Sequence, residues 1–364
     1  MTNPSVKSVR PLDLKNASPG PLVLAAQGFF WVGGEPMQTP AGSAVRGQSY
    51  VEYWVPQDLR HPWPLVLVHG GGGQGLDFLG TVDGREGWVH WFVRRGYAVY
   101  VVDRPGHGRA PFRPEVLGAM GPLLPTGFIE EWFCRPADFP DRYAQARLHT
   151  QWPGTGRFGD PYFDHFLCGT GPTQADAVQA QRDTQRGLAE LLDRIGPALV
   201  LTHSAGGPAG WLVGDSRPAL VKAIIAVEPL GPPFSALGGA ALSWGLTAVP
   251  LAFEPPAARI EELQLEERPP ARAGTIACLV QKEPARKLLN LTRFPIVVVT
   301  AEASWMAADN HGTVDFLRQA GARVEHLRLE EQGVHGNGHA MMLERNSDQV
   351  AGVIEGWIAD KGLS

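Results

Sequence analysis

The sequence predicts an α/β protein: a mostly parallel central β-sheet flanked by helices. Three observations carry that prediction. Short apolar runs alternate with segments of helical period along most of the chain. One such run, Leu65–Val68, leads directly into His69 and four glycines. Another, Ala198–Thr202, turns at Ser204 into a helix-compatible stretch.

The apolar runs have a consistent order. Leu22–Val32 and Tyr50–Pro56 read as an opening antiparallel pair. Buried strands follow at Leu65–Val68, Ala98–Val102, Ala198–Thr202, Ala223–Val227, Ile296–Thr300 and Arg323–Leu329, each apolar almost throughout, as a strand covered on both faces should be. Between them, Leu188, Leu191, Leu192 and Ile195 share one helical face, and Val350, Val353, Ile354 and Trp357 share another.

Two segments break the alternation. Residues 104 to about 172 are rich in Pro, Gly and aromatics, among them Phe128, Trp132, Phe133, Trp152, Phe158, Tyr162, Phe163 and Phe166. Residues 229 to about 292 are rich in Pro, Ala and charge. Both leave the C-terminal ends of sheet strands, where α/β proteins hold their ligands, and both read as cap insertions on a single domain spanning 1–364. A plain surface loop is the alternative, stronger for the second segment than for the aromatic first one.

Composition narrows the function classes. At 364 residues the chain suffices for one large α/β domain with insertions, or for two smaller domains. Apolar residues at 44% and charged residues at 19% are ordinary for a soluble globular protein. A net charge of −5, with no run of Lys and Arg, argues against nucleic acid or an anionic membrane as the main partner. Cys134, Cys168 and Cys278 are widely spaced and match neither a disulfide framework nor a zinc site. Leu22–Val32 is too short to span a membrane and lacks the flanks of a signal peptide. A cytoplasmic protein is therefore expected, with an exported parent lacking its leader as the alternative.

The chemistry is concentrated in three motifs. Leu199-Val200-Leu201-Thr202-His203-Ser204-Ala205-Gly206-Gly207 has the form of a nucleophile elbow, in which a strand turns sharply into a helix around a serine with small neighbours. Thr202 departs from the usual Gly, and a plain strand-to-helix loop is the alternative for this segment alone. His69-Gly70-Gly71-Gly72-Gly73 after a strand has the form of an oxyanion loop, because glycines let backbone N–H groups face a reacting carbonyl without side chains in the way. The expected donors are the N–H groups of Gly71 and Ala205. A phosphate loop is excluded, since no Lys-Ser/Thr follows.

The third motif, Val334-His335-Gly336-Asn337-Gly338-His339, stands after the last strand and before the final helix, where such a fold keeps its catalytic histidine. His339 directly precedes an apolar run and is preferred; His335 is the reserve. A metal site on the two histidines is disfavoured, because Gly-Asn-Gly between them opposes a helix. Two carboxylates compete for the role of acid. Glu302 follows the strand Ile296–Thr300, the usual position, and Glu228 follows Ala223–Val227, 24 residues after Ser204 (228 − 204). Local pattern does not separate them.

Taken together, Gln27-Gly28-Phe29-Phe30-Trp31-Val32-Gly33-Gly34, His69-Gly70-Gly71, Asp83-Gly84-Arg85-Glu86-Gly87-Trp88, Asp103-Arg104-Pro105-Gly106-His107-Gly108-Arg109, Thr202-His203-Ser204-Ala205, Val227-Glu228-Pro229, Gly333 to His339 and Arg345-Asn346 form an ordered series over nearly the whole chain. In this series the chain resembles a small group of bacterial esterases of the α/β-hydrolase fold. That group includes an enzyme that de-esterifies sulfonylurea herbicides and one acting on halogenated cyclic compounds. The resemblance implies Glu228 as the acid and His339 as the histidine, and it accommodates Thr202. It does not extend to the two insertions, so no substrate follows from it.

The expected activity is ester hydrolysis through an acyl-enzyme, with a small apolar or aromatic ester as partner, no cofactor and no metal. A homodimer is compatible with the chain. Lactonase, amidase and other serine-hydrolase activities share the same triad. A non-catalytic receptor on this fold, using its pocket only to bind, is the rival from another class.

Overall fold

The computed structural model describes residues 20–236, 242–270 and 272–364. Eight strands form one sheet: β1 (Leu24–Val32), β2 (Ser49–Pro56), β3 (Leu65–Val68), β4 (Val99–Asp103), β5 (Ala198–His203), β6 (Val221–Val227), β7 (Ile296–Thr300) and β8 (Val324–Arg328). Their order is β1-β2-β4-β3-β5-β6-β7-β8. The first two are antiparallel to their neighbours, and β3 to β8 run parallel.

Strands in the middle of this sheet are covered on both faces, which is why β3, β5 and β7 are apolar runs without exposed residues. The edge strand β8 departs from that expectation. Its sequence Val-Glu-His-Leu-Arg is buried only at Val324, as suits a strand with a neighbour on one side. A hairpin of Glu35–Thr39 with Gly42–Arg46 has no counterpart in the sequence reading; its short polar strands carry little apolar period.

Helices α1 (Trp88–Arg94), α2 (Pro161–Gly169), α3 (Ala177–Ile195), α4 (Gly207–Ser216), α5 (Asn310–Gln319) and α6 (Ser347–Asp360) complete the main elements. Two apolar layers result. One joins Leu188, Leu191 and Leu192 of α3 to Trp211 and Leu212 of α4 and Phe316 and Leu317 of α5. The other joins Trp88 and Phe92 of α1 to Val350, Ile354 and Trp357 of α6.

The segment 104–172 folds as short helical turns (Pro114–Leu117, Thr126–Ile129 and Glu130–Cys134) followed by α2. The segment 229–292 contains a small hairpin of Leu265–Arg268 with Cys278–Gln281, and its Trp244, Leu246, Leu251 and Phe253 pack into the first apolar layer.

Candidate active site

Six parallel strands deliver their C-terminal ends to one edge of the sheet, and the chemical residues of the sequence follow them. His69 follows β3, Arg104 follows β4, Ser204 follows β5, Glu228 follows β6, Ala301 to Ser304 follow β7, and the loop to His339 comes after β8.

At the end of β5 the chain turns abruptly. Ser204 has φ 51°, the left-handed region, which costs a residue with a side chain roughly 1–3 kcal/mol. Helix α4 starts at once behind it, and Pro208 sits in its first turn. The small neighbours are required by contact. A Cβ on Gly206 would lie 2.5 Å from the His69 carbonyl oxygen, and one on Gly70 would lie 2.9 Å from His203 Nδ1 and 3.0 Å from Ser204 Cβ. The glycine loop and the elbow are thus pressed backbone to backbone. Among the described residues, no hydrogen bond occupies the N–H of Gly71 or of Ala205.

The two histidines and two carboxylates of the sequence reading sort into two separate pairs. His339 Nδ1 lies 2.6 Å from Glu228 Oε2, with both side chains fully shielded from solvent. His335 Nδ1 lies 3.2 Å from Glu302 Oε1, on a side chain 62% exposed, and Glu302 also accepts from the Gly336 N–H. Of the two histidines only His339 reaches the cavity that Ser204 lines.

Glu228 is itself held firmly. It has φ 43°, accepts from the Ala301 N–H at 2.8 Å, and its Oε2 accepts from Ser304 Oγ at 2.6 Å. Burial raises its carboxyl, while the Ser304 and Ala301 donors favour the carboxylate. Burial likewise pulls His339 down to about 3, which favours the neutral imidazole a general base needs. With Nδ1 bound to Glu228, Nε2 is the ring nitrogen left over in a side chain that lines the same cavity as Ser204. Ser304 was not singled out from sequence; it lies two residues beyond Glu302 in the loop after β7.

A second buried carboxylate supports the histidine loop. Glu344 accepts from His149 Nε2 at 2.7 Å, Asn337 Nδ2 at 2.8 Å and the Gly338 N–H at 3.0 Å, while Asn337 and Asn346 exchange side-chain amide bonds. Arg85 donates to the Glu344 carbonyl and Trp88 Nε1 to that of Ser347, so the Asp83–Trp88 motif braces the same region. From below, His203 Nε2 donates to the His339 carbonyl at 3.0 Å. Glu344 stands directly before the Arg345-Asn346 motif, the one sequence signal that pointed near it.

The Asp103–Arg109 motif has a similar bracing role. Asp103, fully buried, accepts from the N–H groups of Gly75 and Arg109 and from Arg109 Nε, tying the turn after the glycine loop to the loop after β4.

Ser204 and His339 line an apolar cavity of about 50 Å³ together with Gly70 to Gly73, Leu124, Ile129, Phe133, Phe166, Met342 and Leu343. Phe133 meets the His339 ring edge-on at 5.5 Å, and Trp305 lies 4.3 Å from it. The aromatics of the 104–172 segment divide by position. Phe133 and Phe166 face the cavity; Trp132 instead stacks on Phe128 and Tyr143, Trp152 is buried against Phe166, and Phe158 is exposed. Among the described residues, the 229–292 segment contributes nothing to this lining.

Residues 65–353 match the model of the alpha/beta hydrolase family, and the chain belongs to that family. A relative from a fungus (Fungal sp., strain ATCC 74256), named "Probable secreted lipase phiG", is 41% identical over 336 residues, 91% of this chain and 88% of the relative. The solved structure of a novel bacterial esterase matches with a TM-score of 0.63 at 24% identity, covering 94% of this chain and 98% of that one, which is a likeness of fold. The finer likeness to herbicide-de-esterifying enzymes rests on the motifs alone.

The expectation of a cytoplasmic protein is corrected by the same comparison, because a relative matched over nine-tenths of the chain is named a "Probable secreted lipase", which points to an extracellular protein. The expectation came from Leu22–Val32, which folds mostly as strand β1 and carries no information about export.

Proposed function

We propose that this protein is a secreted serine esterase that cleaves small carboxylic esters through an acyl-enzyme, with Ser204 as nucleophile, His339 as base, Glu228 as acid, and the Gly71 and Ala205 N–H groups as the oxyanion hole. The single observation that carries this proposal is the buried 2.6 Å bond of His339 to Glu228, beside a cavity shared by His339, Ser204 and the glycine loop.

His339 Nε2 takes the proton of Ser204 as its oxygen attacks the ester carbonyl. The carbonyl oxygen becomes anionic and is met by the two free N–H groups. Glu228 holds the imidazole in the tautomer with hydrogen on Nδ1 and stabilises the imidazolium that forms. His339 then gives its proton to the leaving alcohol, and water repeats the sequence on the acyl-enzyme. Phe133, Phe166 and Leu124 cap the site and exclude water.

The cavity favours small substrates. Its volume of about 50 Å³ is far below the several hundred Å³ typical of pockets for drug-sized ligands. A short acyl group fits it; a long one requires the 104–172 segment to move. Extracellular action is supported by the name of the fungal relative, and apolar or aromatic esters by Phe133 and Phe166 in the cavity lining.

The test is a panel assayed on the purified protein: p-nitrophenyl esters of rising acyl length, heteroaromatic methyl esters, a lactone and an anilide. The proposal expects ester turnover with the highest kcat/KM at acyl chains of about four carbons or fewer. Turnover of the lactone or anilide alone would move the activity to another acyl hydrolase, and no turnover of any member would favour a binding role.

A further inference from the structure

Arg104 is a buried cation with no carboxylate. It is 6% exposed, and among the described residues it enters no ion pair, although Arg109, five residues on, pairs with both Asp103 and Glu52. Its Nη2 donates instead to the Gly70 carbonyl oxygen at 2.6 Å, while its Nε has no partner. A cation shielded from water without a counter-ion is costly, so what it does for Gly70 needs an explanation.

The Gly70 oxygen has a second donor. The Arg104 backbone N–H donates to His69 Nε2 at 3.1 Å, which makes that nitrogen an acceptor and places the hydrogen of the neutral ring on Nδ1. His69 Nδ1 then donates to the Gly70 oxygen at 2.8 Å. Two donors therefore fix the direction of one carbonyl. The Gly70–Gly71 peptide is trans, so its N–H points opposite to its C=O. That N–H belongs to Gly71, whose backbone faces Ala205 so closely that an added Cβ would lie 3.2 Å from the Ala205 Cβ.

We infer that Arg104 is a positioning residue for the oxyanion hole: with His69 it turns the Gly70 carbonyl away from the cavity and so aims the Gly71 N–H at the oxygen of the tetrahedral intermediate. The guanidinium also polarises that peptide, strengthening its N–H as a donor, because hydrogen bonds in a chain reinforce one another. When the oxyanion forms, the otherwise unpaired cation lies one peptide unit behind it.

This inference rests on the esterase proposal, and its test separates the two. The variants are Arg104→Met, which removes charge and donors, and Arg104→Lys, which keeps a charge and a single-point donor. Each is assayed for kcat and KM with p-nitrophenyl acetate, for inhibition by phenylboronic acid (which forms a tetrahedral anionic adduct with a nucleophilic serine) and for Tm.

For Arg104→Met the expected result is a fall in kcat of about 10²–10³-fold, the size of losing one oxyanion donor, with KM changed less than about 3-fold. The boronate Ki should rise in parallel with the loss in kcat. Arg104→Lys should fall between the variant and the wild type on both scales. If Arg104→Met does not fold, the lysine variant decides alone, since its kcat and boronate affinity should still fall together at a near-normal KM. Unchanged boronate affinity in a folded variant, or losses confined to Tm and KM, would overturn the positioning role. A wild-type protein that neither cleaves the ester nor binds the boronate would instead overturn the esterase proposal.

Discussion

His339 and Glu228, separated by 111 positions in sequence, meet through a 2.6 Å hydrogen bond that no solvent reaches, while Glu302, at the strand end where the fold usually keeps its acid, meets the exposed His335 instead. This relationship predicts an asymmetry. Glu228→Gln should lower kcat by about 10²–10⁴-fold, because the histidine loses its anionic partner and can take the wrong tautomer. Glu302→Gln should cost less than about 10-fold, because only an exposed pair and one loop N–H are affected. Steady-state kinetics of both variants check this, and a more damaging Glu302→Gln would move the acid to β7.

The histidine loop should depend on Glu344. Replacing it by Gln removes the charge that faces His149 and one acceptor from a group of three donors. Leaving buried donors unsatisfied costs about 1–3 kcal/mol, so chemical denaturation of Glu344→Gln should show a loss of that size. In the folded variant kcat should fall more than KM rises, since the loop carries His339. An unchanged denaturation midpoint would mean that the loop is held by other contacts.

Position, more than aromatic character, should decide which residues set substrate size. Phe133→Ala opens the cavity wall beside His339 and should raise the ratio of hexanoate to acetate kcat/KM by about 10-fold, since each methylene in an apolar pocket is worth roughly 1–3 kcal/mol. Trp132→Ala should leave that ratio within about 3-fold, because Trp132 packs on Phe128, Tyr143 and Trp305 and is not among the residues that line the cavity. Equal shifts in the two variants would show that the segment acts as a whole.

The pH dependence follows from burial. The neutral form of His339 is favoured, its imidazole being pulled down to about 3 with burial as the main cause. A depressed histidine keeps its basic form as pH falls, so the acidic limb of the kcat/KM profile should lie below the ordinary imidazole value of about 6.5. The limb belongs to the coupled pair with Glu228. A limb centred above 7 would show that the Glu228 charge outweighs burial.

Much of this architecture was legible in the sequence, for identifiable reasons. Strands covered on both faces must be apolar, so Leu65–Val68 and Ile296–Thr300 are located to the residue. The elbow and glycine loop are legible because their backbones approach so closely that only small residues fit. Which carboxylate meets His339 was not locally legible, because Glu228 and Glu302 both follow strands and only the three-dimensional path of the histidine loop separates them. The cavity-facing aromatics were equally hidden. Composition finds Trp132 and Phe133 alike, whereas orientation on an irregular helical turn determines which of them reaches His339. Arg104, Ser304 and Glu344 act through backbone groups and other side chains, and such roles leave no pattern of spacing.

The central claim, a covalent acyl-enzyme on Ser204, is tested most directly by intact-protein mass spectrometry after exposure to a fluorophosphonate, with the modified residue located by peptide mapping. The expected result is a single stoichiometric adduct on Ser204, absent from Ser204→Ala, with ester turnover in that variant reduced by about 10⁴-fold or more. No adduct, an adduct on another residue, or a Ser204→Ala variant that keeps more than about a tenth of the activity would contradict it.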